Sequence, residues 1–170
     1  MPSQPSYGQA TSLAFAPDEW ALLIHLPARV MIAATSAEVD MPRRTVAEGI
    51  AGLDAIAAGR SSDSDLVRSI VTAIYAESDE DAPAAEEFTD RAAGLAEVLD
   101  ACRTASTILT GRADPADAAA YRHWLETIAA RVCAATRSGG VLGLGGERVS
   151  AAETRFLTDL GNALRGQPPG

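Results

Sequence analysis

Four carboxylates stand where a chain could gather oxygen donors. Glu38 and Asp40 lie in a predicted turn after the first helical segment, and Glu147 and Glu153 bracket the start of the last one. Hard cations such as Ca²⁺ and Mg²⁺ take several carboxylate and carbonyl oxygens at one point. Two turns that each bring a carboxylate or two would supply them if the turns meet. Asp40 and Glu153 are equally good helix-start residues, favoured by unbonded N–H groups and by the positive end of the helix dipole. Both uses draw on the same oxygens.

Other chemistry is thinly represented. Two Cys and two His form no C-x-x-C and no H-E-x-x-H, the spacings that hold zinc. Cys102 and Cys133 fall on apolar helical stripes, where a thiol behaves as a small hydrophobe. His25 lies in an apolar helix and His123 sits beside Trp124. Cys133 and either His could meet in space, but no local signature marks a nucleophile and its base. Five Gly crowd into Gly139–Gly146, yet Arg148 stands where G-x-G-x-x-G needs its last glycine, and no Gly-Lys-Ser/Thr occurs. That loop reads as a sharp connection between helices, with Val141, Leu142 and Leu144 turned back onto the core. No catalytic residue and no organic cofactor is expected.

Six amphipathic segments position these groups. The first opens at Pro17 with Asp18 and Glu19 in its first turn, and Pro27 inside it predicts a kink. Leu22, Leu23, Ile24, Leu26, Val30 and Ile32 make it apolar nearly all round, so it should be central. Asp40-Met41-Pro42 caps a second helix with the stripe Val46, Ile50, Leu53 and Ile56, stopped by Gly59. Ser62-Asp63 opens a third, with Leu66, Val67, Ile70, Val71 and Ile74 on one face. The fourth carries Phe88, Leu95, Leu99, Cys102 and Leu109 and ends at Gly111. Asp114-Pro115 caps the fifth, whose stripe is Tyr121, Trp124, Leu125, Ile128 and Val132. Ser150-Ala-Ala-Glu153 is a capping box for the sixth. Residues 1–12 and 166–170 read as disordered tails around a domain at 13–165. Residues 77–87, six of them acidic, read as a linker.

Composition agrees with helices. Alanine supplies 35 of 170 residues and aromatics only 5%. Such a core suits helices packed closely and disfavours a β-sandwich, which wants β-branched and aromatic residues. All 14 basic residues are Arg, against 23 acids, for a net charge of −9. Residues 1–87 hold five Arg and fourteen acids; residues 88–170 hold nine of each. An acidic chain is unsuited to replacing phosphate counterions, so no nucleic acid is expected. An acidic half beside a neutral half suits a cation or a basic protein partner. The N-terminus has no signal-peptide pattern and no segment is long enough to span a bilayer, so a cytoplasmic protein without membrane insertion is expected.

The chain contains an echo. Ala28-Arg-Val30 and Ala33-Ala-Thr35 recur as Ala130-Arg-Val132 and Ala134-Ala-Thr136, each after a Trp. Tyr121-Arg-His-Trp-Leu, Ala129-Ala-Arg-Val-Cys-Ala-Ala-Thr, Gly139 to Glu147, Val149-Ser-Ala-Ala-Glu153 and Leu157-Thr-Asp-Leu160 together resemble the tellurite-resistance TerB-like family. Residues 20–53 resemble a degraded copy of the same unit. The resemblance covers about half the chain. It implies an all-helical fold, a role in tellurite and other stress resistance, and an acidic divalent-cation site, with the acidic pair on Glu147 and Glu153. In the first copy Arg43 stands where an acid is expected, and Glu38 and Asp40 are the acids left to compensate.

The expected protein is therefore one compact all-α bundle of about six helices, with room for two related units. It is expected to be a non-enzymatic, TerB-like partner-binding protein with Ca²⁺ or Mg²⁺ on Glu38, Asp40, Glu147 and Glu153. The alternative is a metal-free interaction module that docks a basic partner through its acidic half.

Overall fold

The computed structural model describes residues 11–37, 42–77, 90–135 and 149–167, with no account of the side chains of 42–45. Among them are six α-helices and no strand: α1 (Pro17–Ser36), α2 (Pro42–Ala58), α3 (Asp65–Ala76), α4 (Arg91–Arg112), α5 (Pro115–Ala135) and α6 (Ala151–Leu164). A short 3₁₀ turn, Gly59–Ser61, follows α2.

Most helix ends follow local chemistry. The Ala16 N–H donates to Glu19 Oε2 at 2.8 Å, just before Pro17. Asp90 caps α4 through Ala93 N, and Asp114 accepts from Ala116 N at the start of α5. The third helix begins later than expected. Its cap is Ser64, which accepts from Val67 N, while its hydroxyl donates to Asp117 at 2.6 Å and so ties α3 to the first turn of α5. Residues 11–12 and 166–167, at the inner edges of the expected tails, are described. Thr11 and Ser12 accept from Ala14 and Phe15 in a turn that leads the chain into the core at Phe15. Gly166, with φ +71°, and Gln167 donate to Ala163 and Asn162, a Schellman ending that uses carbonyls α6 would otherwise leave unbonded. The rest of both tails, Phe88, and the acidic linker beyond Glu77 lie outside the described residues.

α1 is central, as the sequence leads one to expect, and α5 shares that place. Each packs against α2, α3 and α4 as well as against the other, and α5 also covers α6. They run parallel. Tyr121 bonds to the carbonyl of Leu23 near their N-termini, and Met31 and Val132 meet at Gly52 near their C-termini. α2 is antiparallel to α5, because Gly52 adjoins Val132 and Gly59 adjoins Trp124. α4 is antiparallel to α1: Arg112 reaches Glu19 at 2.7 Å and Arg29 reaches Glu97 at 3.8 Å. Ser106 joins α4 to the end of α6 by donating to Leu164 O at 2.9 Å.

The structure turns α2 over. Val46, Ile50 and Leu53, expected in the core, face outwards, and only Ile56 of that stripe is buried. The inner face is Glu48, Gly52, Ala55, Ile56 and Gly59. A Cβ at Gly59 would lie 2.8 Å from Val71 and 2.9 Å from Trp124; one at Gly52 would collide with Met31 and stand 3.1 Å from Val132. The backbone of α2 thus lies almost directly on α1 and α5. No row of large aliphatics fits that gap, so the large residues go to the other side.

Pro27 sits inside α1 without ending it. Proline has no N–H for the carbonyl four residues back, here Leu23. The Tyr121 hydroxyl takes over that bond at 2.8 Å. Tyr121 is fully buried, and burial holds its pKa well above the usual tyrosine value, so it stays a donor.

Candidate functional site

The helices that flank the two expected turns are described. Because α1 and α5 are parallel and α2 and α6 return antiparallel to α5, four helix termini gather at one end of the bundle. They are the C-termini of α1 and α5 and the N-termini of α2 and α6. Gly161 adjoins Glu126, and Leu164 accepts from Ser106, which in turn lies beside Arg122, so α6 runs back along α5. The described helices that flank 38–41 and 136–148 therefore have their facing ends at the same end of the bundle. Glu38, Asp40 and Glu147 lie outside the described residues.

Glu153 is described and already engaged. Its Oε2 accepts from Ser150 N at 2.8 Å, and its own N–H donates to Ser150 Oγ at 3.1 Å. This is the full capping box, and it leaves the side chain buried at 3% exposure. A cation at this carboxylate would compete with a charge-assisted hydrogen bond at a helix N-terminus. The bundle has a second buried carboxylate that sequence reasoning missed, Glu48, one turn before Gly52 on the inner face of α2. Its signal was positional: it falls on the same side as Gly52, Ala55 and Gly59. Among the described residues no three of His, Cys, Asp and Glu come together as metal ligands.

The other candidates take structural places. His25 Nε2 and Glu77 Oε2 are 3.1 Å apart, linking α1 to the end of α3. His123 is exposed on α5. Cys102 is buried, and burial pushes its thiol up to about 12, against the weaker opposing pull of Arg29 and Arg103. A thiol so held is not a nucleophile at neutral pH. Cys133 is buried in the same core. No described helix is long and apolar enough to cross a membrane.

The surface carries one further feature. Val46, Ile50 and Leu53, spaced i, i+4 and i+7 on α2, are 64%, 57% and 55% exposed. Half-buried Ala57 continues the line. Near its end Arg60 lies over the ring of exposed Tyr75, 4.0 Å from the centroid.

No family model, no curated protein and no solved structure matches the chain. The TerB-like resemblance rests on the segments quoted above.

Proposed function

We propose that this chain is a non-enzymatic helical interaction module whose docking face is the solvent side of α2. The observation that carries this reading is the row Val46, Ile50 and Leu53. Single exposed aliphatics are ordinary, but three in helical register form the kind of seam an amphipathic helix or a neighbouring subunit covers. The described part of the acidic half holds seven of its fourteen acids. Of its seven described acids, Glu19 pairs with Arg112, Glu77 with His25 and Asp65 with Arg68, and Glu48 is buried; Asp18, Asp54 and Asp63 remain exposed. On the α2 face docking is led by apolar contact and trimmed by charge. Two idealised amphipathic peptides with leucine at i, i+4 and i+7, one basic and one acidic, test the face by amide chemical-shift mapping. At least one should shift α2 resonances around Ile50, and Ile50→Asp should abolish the shift. Absence of any α2 shift with both peptides overturns the reading.

A second reading, a TerB-like stress-associated cation site, is favoured by the four helix termini at one end of the bundle. Glu38, Asp40 and Glu147 would carry it, with Glu153 available only at the expense of its capping box. Binding should be weak, with a dissociation constant of roughly 10⁻⁴–10⁻³ M. Ca²⁺ or Mg²⁺ at about one hundred times that constant should stabilise the fold by ~2.7 kcal/mol. Thermal melting against a salt control of equal ionic strength checks this, and Glu147→Gln should remove the shift. Equal melting with and without the divalent ion ends the cation reading.

A further inference from the structure

We draw no further inference here: the strongest candidate, the exposed row Val46, Ile50 and Leu53 on the solvent side of α2 with the Arg60–Tyr75 stack near its end, belongs to the face already described, and nothing in the structure shows what covers it.

Discussion

Trp124→Ala should destabilise the protein by about 3–5 kcal/mol, the range for a buried aromatic cut back to a methyl group. Trp124 is the pin between α2 and α5. Its Nε1 donates to the carbonyl of Ala55 at 3.1 Å, its ring edge lies against the backbone of Gly59, and Tyr121 meets it edge-on at 6.0 Å. Neither glycine nor alanine on the inner face of α2 can move in to fill the space, because none has a side chain to rearrange. The cavity therefore stays open, which places the cost in the upper part of that range. Chemical denaturation of the purified variant measures it. Trp124→Phe separates the terms, since it keeps most of the ring and loses the Ala55 bond, at about 1–2 kcal/mol. A loss below ~1 kcal/mol for Trp124→Ala, the scale of a surface change, would mean that α2 does not lie on α5 as described.

The same contact shows which parts of the fold were legible in the sequence. Helix starts were, because caps are local: Pro17 with Glu19, Asp114 with Pro115, and Ser150 with Glu153 each satisfy N–H groups within three residues. The start of α3 slipped because Ser61, Ser62, Asp63 and Ser64 all have capping side chains, and only packing against Asp117 selects Ser64. The buried face of α2 was not legible. Periodicity places the large aliphatics inside, and it is silent about glycine. Gly52, Ala55 and Gly59 are a signal of close approach between backbones, not of hydrophobicity. On α4 the same blindness singled out Leu95 and Leu99, which are only partly buried, over Val98, Ala101 and Ala105. Of the proposed ligands, only Glu153 has a described place, and its bond was readable because the capping box is written in four consecutive residues. Glu48 was not found, since a single mid-helix Glu carries no pattern until one knows which side of α2 is inside.

Tyr121→Phe should cost about 1–3 kcal/mol, although it removes one oxygen and no carbon, because it strips the partner from a buried carbonyl. The reason lies on another helix. Pro27 deprives Leu23 O of its ordinary donor, and the Tyr121 hydroxyl is the replacement, reaching from α5 into the interior of α1 at 2.8 Å. The two residues are 94 positions apart in sequence yet form one solution to one unsatisfied group. Their substitutions should therefore not add. Pro27→Ala restores an N–H that can donate to Leu23 O, so in that background the hydroxyl becomes one of two donors. Tyr121→Phe should then cost less by about 0.5–3 kcal/mol, the coupling found between residues that share a partner. A double-mutant cycle by urea denaturation, with all four proteins measured together, gives the number. Additive costs would show that the hydroxyl is held by something other than the orphaned carbonyl. A cost that rises in the Pro27→Ala background would mean that the proline is needed to shape the pocket around Tyr121, and that the bond is its consequence.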